Sequence, residues 1–302
     1  MRFLKSIITG GAGFIGSNLT DHLVRIGHKV IVLDNFVSGK KSNLSHHKKK
    51  DVKIINVDIS KNENIDKFFK GADYVFHLAG LAEIIPSIKN PKKYFINNVL
   101  GTINVIEAAR KTKIKKFIYA ASSSCYGSPK SFPTSEKSKI DLKHPYALTK
   151  YMGEELVMKY ASIFNMPNIS FRFFNVYGPR LNTAGQYSAV IGNFLLQKRN
   201  KKTLTVVGDG KQTRDFIHVD DLANAFIKAI KSKSVNKIYN LGSGKKISIN
   251  TIAKIFGGKK KFIPKRPGEP KNSLADISKI KKEIKWKPKV SIEEGIKKLL
   301  ES

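Results

Sequence analysis

The feature that most restricts the fold of this chain lies near its start. A β-branched run, Phe3–Thr9, leads into Gly10-Gly11-Ala12-Gly13-Phe14-Ile15-Gly16, and a helical pattern, Phe14–Ile26, leaves it. Glycines at this spacing allow a tight strand-to-helix turn, let the backbone approach a pyrophosphate, and permit close packing of helix on strand. The helix N-terminus then offers free N–H groups to negative charge. The GxGxxG spacing of Gly11, Gly13 and Gly16 is weak alone and gains meaning from its strand–turn–helix setting. The second run, Lys29–Leu33, ends at Asp34, close to the ~20-residue offset expected for an acid on an adenosine ribose. Such an acid repels a 2′-phosphate, so NAD is expected in preference to NADP. The bland alternative is a tight βα turn followed by a surface aspartate.

Further strand patterns occur at Val52–Val57, Asp73–Leu78, Lys116–Ala121 and Asn168–Phe174, separated by helical stretches that include Pro91–Lys111 and Pro145–Phe164. Strands alternating with helices imply right-handed crossovers and a parallel sheet covered on both faces. After Gly178 the elements shorten, with helices expected at Val219–Lys231, Ser248–Phe256, Ile277–Ile284 and Ile292–Leu300 and a proline- and lysine-rich stretch at Lys259–Asn272. The expected architecture is a Rossmann-type, doubly wound α/β sheet over residues 1–175. A smaller C-terminal substrate-binding lobe, interleaved with it, covers residues 176–302.

Composition narrows the setting. No apolar run approaches the ~20 residues that cross a bilayer, so no membrane insertion is expected. The first strand leaves no room for a signal peptide, and the single cysteine, Cys125, excludes an intrachain disulfide. The cytoplasm is the expected location. The net charge of +33 raises the question of a nucleic-acid partner. Only eight of the 56 basic residues are arginine, the residue best shaped for base and phosphate recognition, and the lysines are scattered in short runs. A solvated lysine coat is the expectation, with no nucleic acid bound. His46-His47 lies in one such lysine-rich loop and reads as exposed filler, not a metal site; no metal is expected.

Chemistry enters with Pro145-Tyr146-Ala147-Leu148-Thr149-Lys150. Tyr146 and Lys150 share one helix face at i, i+4, and a neighbouring ammonium, joined by the positive nicotinamide of the expected cofactor, favours the phenolate, a base at neutral pH. By itself the pair is also common on ordinary helices. The fifth strand ends in Ala121-Ser122-Ser123-Ser124-Cys125-Tyr126-Gly127, which supplies hydroxyls but no histidine partner for a nucleophilic serine.

Together these segments resemble the extended short-chain dehydrogenase/reductases, the NAD-dependent epimerase/dehydratase family. Thr9 to Ser17 reads TGGAGFIGS, and further matches are Asp58-Ile59, His77-Leu78-Ala79-Gly80, Asn98, RFFNVYGP from Arg172 and RDFIHVDD from Arg214. The resemblance implies a catalytic Ser122, Tyr146 and Lys150. It implies NAD held by Gly10, Gly13, Phe14, Ile15, Gly16, Asp34, Asn35, Asp58, Ile59, Leu78, Ala79, Gly80 and Asn98, together with Tyr146 and Lys150. It implies a nucleotide-sugar substrate, held by Glu83, Ser87, Ser123, Ser124, Asn175, Ala189, Val190, Arg214, Arg266, Glu269 and Ser273. His218 is read as structural. The dehydratases resemble one another in a Thr-Asp-Glu at the position of the serine run, and decarboxylases in a Thr-Ser-Glu. This chain has neither, which leaves 4-epimerisation through a transient 4-keto sugar. A small residue at Ser273 leaves room for a 2-acetamido group, and the flanking segments resemble bacterial UDP-N-acetylhexosamine 4-epimerases. The implied substrates are UDP-GlcNAc/UDP-GalNAc, with UDP-Glc/UDP-Gal beside them. Glu83 would repel a uronic acid. Epimerisation or reduction of another nucleotide sugar, UDP-hexuronic acids included, is the alternative, and a non-catalytic NAD- or RNA-binding protein a remote one. A homodimer through the long helices is expected.

Overall fold

The computed structural model describes residues 3–61, 64–181, 190–264 and 271–301. Six strands arise where the sequence patterns lie: β1 (Lys5–Thr9), β2 (Lys29–Asp34), β3 (Val52–Asn56), β4 (Tyr74–His77), β5 (Lys116–Ser122) and β6 (Asn168–Phe173). Beyond them come β7 (Asn175–Tyr177), β8 (Leu204–Val207), β9 (Thr213–Arg214), β10 (Phe216–His218), β11 (Lys237–Leu241), β12 (Ile247–Ser248) and β13 (Lys260–Ile263). Seven form one parallel sheet in the order β3-β2-β1-β4-β5-β6-β11. The order reverses between β1 and β4, which opens a crevice at their carboxyl ends.

The central strands read as nearly continuous apolar runs because both faces are covered. Neighbouring residues serve opposite sides. Ile8, Phe76 and Ile118 pack under the helices Phe14–Arg25 and Val219–Lys231. Ile7, Val75 and Phe117 pack under Gly101–Arg110 and Pro145–Phe164. All six are fully buried, each contributing about 1.5–3 kcal/mol of transfer free energy. A third cluster, with Tyr177, Phe194, Phe216, Phe256 and Ile296, forms the core of the C-terminal part, which carries among the described residues the two-stranded sheets β7/β10, β8/β13 and β9/β12.

Two features were not expected. The seventh strand, β11, comes from the C-terminal half and pairs with β6 from Ile169 to Phe173. The helical stretch Pro91–Arg110 is interrupted by a π-turn at Phe95–Leu100, and Asn98 sits within it. The helix Pro145–Phe164 has the expected bounds. His144 accepts Ala147 N at 3.1 Å, Pro145 occupies the first turn, and Asn165 ends the helix in the left-handed region at φ 51°.

Candidate active site

The crevice between β1 and β4 begins at the glycine turn. Gly10 N donates to Leu33 O at 2.8 Å, which ties the turn to β2. A Cβ on Gly16 would stand 2.2 Å from Gly10 O, so only glycine lets the helix start this close to the turn. The helix begins at Phe14 with Gly13 before it and no capping side chain. The first-turn N–H groups of Phe14, Ile15 and Gly16 therefore face the crevice mouth as an anion site. Leu78 N and Ala79 N bond Thr9 O and Thr9 Oγ1 at 3.1 and 3.3 Å, holding the segment Leu78-Ala79-Gly80 against β1.

At the end of β2 the Asp34 carboxylate accepts Ala12 N and Phe36 N at 2.9 and 2.8 Å. Burial pushes its pKa up, and the two N–H donors pull it partly back. Asn35 bonds Asp58, which also accepts Ser60 N and Oγ at 3.0 and 2.7 Å. The Ile59 side chain points inward and packs on Gly101. A carboxylate for ribose hydroxyls beside an uncapped helix end for a pyrophosphate fits NAD. Asp34→Ala is expected to weaken NAD at least ~10-fold while bringing NADP affinity closer to that of NAD. Tighter binding of NADP than NAD by the unaltered protein, in a calorimetric titration, contradicts this reading.

The catalytic candidates converge at the carboxyl ends of β4 and β5. Tyr146 and Lys150 lie one turn apart on the helix Pro145–Phe164. Lys150 Nζ lies 4.6 Å above the Tyr119 ring, and Tyr119 Oη donates to Lys150 O at 3.2 Å. Ser122 caps the short 3-10 turn Ser123–Tyr126, its oxygen accepting Ser124 N at 3.2 Å and Ser124 Oγ at 2.8 Å. With two donors on that oxygen, the Ser122 proton is left to be given away. Burial pushes the Tyr146 phenol up, a hydrogen bond with Ser122 lowers it, and Cys125 raises it again. Burial takes Lys150 down to about 8 against the pull of Glu154. The protein alone therefore leaves the phenol neutral, and the ammonium is only one of the two positive charges expected to favour the phenolate. Desolvation drives both groups toward neutrality, and a positive charge in the crevice is needed to draw the phenolate out.

Among the neighbours of these groups, His77, Glu154 and Tyr94 had no expected site role, whereas Asn98 was expected at the cofactor. His77 is buried between Thr9 Oγ1 (2.6 Å) and Thr102 Oγ1 (2.9 Å), and desolvation, with Lys150 nearby, holds it neutral at about 3. Asn98 Nδ2 donates to Leu81 O and Thr149 Oγ1, both at 3.0 Å, and its Oδ1 accepts Leu81 N at 2.7 Å. That side chain joins the loop after β4 to the helix carrying Tyr146. Glu154, four residues beyond Lys150, is buried in an ion pair with Arg172 at 2.6 Å. The YxxxKxxxE spacing was the visible signal for it. Tyr94 is buried, and desolvation pushes it up to about 12, with the charges of Glu83 and Tyr146 adding to the shift.

The substrate candidates are placed unevenly. Ser123 and Ser124 are partly exposed beside Ser122, and Glu83 is exposed just before the helix Ile84–Lys89, its side chain capping nothing. Ser87 is fully buried and donates to Ile84 O at 2.6 Å, so its hydroxyl is engaged within its own helix. Asn175 gives both its N and its Nδ2 to Asp215 O, at 3.0 and 3.1 Å. Arg214 Nη1 donates to Thr213 O at 2.9 Å, and Ser273 N to Thr213 O at 3.1 Å, so Ser273 lies beside the strand bearing Arg214. Val190 opens the helix Val190–Arg199. Ala189, Arg266 and Glu269 lie outside the described residues. His218 is buried, its Nδ1 accepting Asp220 N at 3.2 Å. His46 is solvent-exposed as expected, while His47 departs from the expected exposed filler. Both bond Asp21, and the His47 side chain is only 9% exposed. A basic hollow of about 480 Å³ rimmed by Lys5, Lys29, Lys49, Lys50, Lys53 and Lys70 lies at the amino ends of β1–β3, the opposite end from this chemistry.

Comparison with known proteins identifies the family and the fold. The chain is 32% identical to a UDP-glucose 4-epimerase of Mycolicibacterium smegmatis over 99% of its own length and 98% of that protein's. Its fold matches a UDP-N-acetylglucosamine 4-epimerase from Methanobrevibacter ruminantium M1, solved with UDP-N-acetylmuramic acid. The TM-score is 0.95 at 33% identity, covering 100% of this chain and 98% of that one. A UDP-glucuronic acid 4-epimerase from Bacillus cereus, solved with UDP-glucuronic acid and NAD, matches with TM-score 0.90 at 32% identity, covering 99% and 98%. The family model described as the NAD dependent epimerase/dehydratase family matches residues 6–242, most of the chain. With the glycine turn, Asp34 and the Ser122–Tyr146–Lys150 set in one crevice, the protein belongs to the NAD-dependent epimerase/dehydratase family.

Proposed function

We propose that the protein is a 4-epimerase of a UDP-sugar, acting on the UDP-GlcNAc/UDP-GalNAc pair and also accepting UDP-Glc/UDP-Gal. The observation that carries this reading is the convergence of Ser122, Tyr146 and Lys150 above a dinucleotide crevice, with no acidic residue in the Ser122-Ser123-Ser124-Cys125 run. When bound, NAD supplies the acceptor and then the donor of the hydride exchanged at the sugar's C4. Tyr146 takes the proton of the 4-hydroxyl and later returns it. The Lys150 ammonium stabilises the phenolate, and Ser122 donates its proton to the reacting oxygen. Asn175, Arg214 and Arg266 hold the diphosphate, and Glu269 the ribose. Arginine forks suit phosphate oxygens.

Two residues support the choice of sugar. Ser273 is small where a bulky side chain would close on a 2-substituent. Glu83 places a carboxylate near Tyr94, whose pKa responds to both Glu83 and Tyr146. A uronate entering there meets like charge. Incubation with a panel of UDP-sugars, with products separated by chromatography, tests the reading. Interconversion of UDP-GlcNAc and UDP-GalNAc supports it. Turnover confined to UDP-glucuronic acid overturns the choice of sugar, and release of free NADH overturns epimerisation.

We further propose that it works as a cytoplasmic homodimer. Among the described residues no helix is long and apolar enough to cross a membrane. Ile88, Ile96, Leu100, Ile163 and Phe164 are exposed on the helical segments Ile84–Lys89, Phe95–Leu100 and Pro145–Phe164, which pack side by side. Light scattering at micromolar concentration is expected to give twice the chain mass. A monomeric mass contradicts the proposal.

A further inference from the structure

Asp21, His46 and His47 cluster outside the reaction described above. Consecutive histidines in a lysine-rich loop would ordinarily diverge into water. Here the chain after the 3-10 turn Lys41–Leu44 brings the two rings together, with centroids 4.1 Å apart. Both Nε2 atoms reach one oxygen, Asp21 Oδ1, at 2.9 Å for His46 and 2.8 Å for His47. Arg180 holds the other oxygen of the same carboxylate. The side chains of His47 and Asp21 are 9% and 19% exposed and that of His46 is 52% exposed. The three donor atoms therefore form a cup that is closed on the protein side and open to water on one side.

We propose that Asp21, His46 and His47 bind a divalent transition-metal ion of the zinc type, with water in the fourth position. Two imidazole nitrogens and one carboxylate oxygen suit zinc, nickel or copper, whereas magnesium and calcium require an oxygen shell. Bonds of ~2.0–2.1 Å in a tetrahedral site separate ligand atoms by about 3.3 Å. The donor atoms already lie within 4.8 Å of one another, and each Nε2–Oδ1 pair needs to open by only about half an ångström. The competing use of the cluster is a set of hydrogen bonds in which both rings carry their proton on Nε2. Metal binding moves that proton to Nδ1 of each ring, a tautomer change that leaves both imidazoles neutral. Arg180 fits both states. It fixes one carboxylate oxygen and leaves Oδ1 to the ion, the usual task of an outer partner to a metal ligand. It also neutralises Asp21, so the affinity is micromolar and not that of a closed structural zinc site.

The position gives such an ion a consequence. It would join the helix Phe14–Arg25 to the segment that leaves Asp34. That segment also returns Lys40 N and Asn43 Nδ2 to Ala12 O, at 3.0 and 2.8 Å. An ion at Asp21 would therefore brace the wall of the dinucleotide turn from outside.

The test uses full-length, untagged protein freed of metal with a chelator, then titrated calorimetrically with zinc chloride and separately with magnesium chloride. One equivalent of zinc is expected to bind with a Kd on the order of 10 µM, with no magnesium binding and a rise in thermal midpoint of several degrees. His46→Ala, a change at a half-exposed side chain, is expected to weaken zinc at least ~10-fold and to keep the fold and the bound NAD. The double variant His46→Ala/His47→Ala is expected to lose the equivalent altogether. Absence of zinc binding below millimolar concentration overturns the proposal. So does an undiminished equivalent in the double variant, which would place the ion on another histidine or on Cys125.

Discussion

Tyr146→Phe is expected to lower turnover at least ~10²-fold while leaving UDP-sugar binding almost unchanged. The substitution removes one oxygen and keeps the ring, which stacks on His144 with centroids 5.9 Å apart and planes 1° from parallel. The helix bearing it is held from both ends and packs through Gly153, where a Cβ would stand 2.1 Å from Tyr119 Oη. Loss of activity would therefore report the missing proton carrier and not a displaced helix. Steady-state rates and a calorimetric Kd for UDP-sugar separate the two. A fully active Tyr146→Phe protein would remove the catalytic assignment at its root.

Ser273→Tyr is expected to act on selectivity. Ser273 is partly buried beside β9, and its N–H bond to Thr213 O fixes the backbone from which a larger side chain would project. A phenol there fills the space assigned to the N-acetyl group. Activity on UDP-GlcNAc should fall at least ~10²-fold, while activity on UDP-glucose persists, because a steric clash penalises only the larger substrate. Comparing kcat/KM for the two sugars checks this. A parallel loss on both would show that Ser273 does not gate the pocket.

Legibility in the sequence followed the physics of each element. The helix Pro145–Phe164 was readable to its last residue because Pro145 and Asn165 mark its ends and Tyr146 and Lys150 share a face. The glycine turn was readable because close approach permits few other residues. The strand β11 was not, since Lys-Ile-Tyr-Asn-Leu is short, bounded by loops, and meets its partner β6 only through the tertiary fold. The π-turn around Asn98 escaped because apolar spacing shifts little over one wider turn. Burial decided the rest. Lys150 next to Tyr146, with a nicotinamide, points to a phenolate, and the desolvation that opposes charge on both groups is not visible in the sequence. His47 looked exposed among lysines, and only the fold brings Asp21 and Arg180 around it.

The proposed reaction exchanges hydride at C4 with a cofactor that stays in its crevice. UDP-GlcNAc carrying deuterium at C4, incubated with purified protein and no added NAD, tests it most directly by mass spectrometry and proton NMR of the products. A mixture of UDP-GlcNAc and UDP-GalNAc with the label retained at C4 of both is expected. Label lost to solvent during epimerisation, or a product inverted at another carbon, would contradict it.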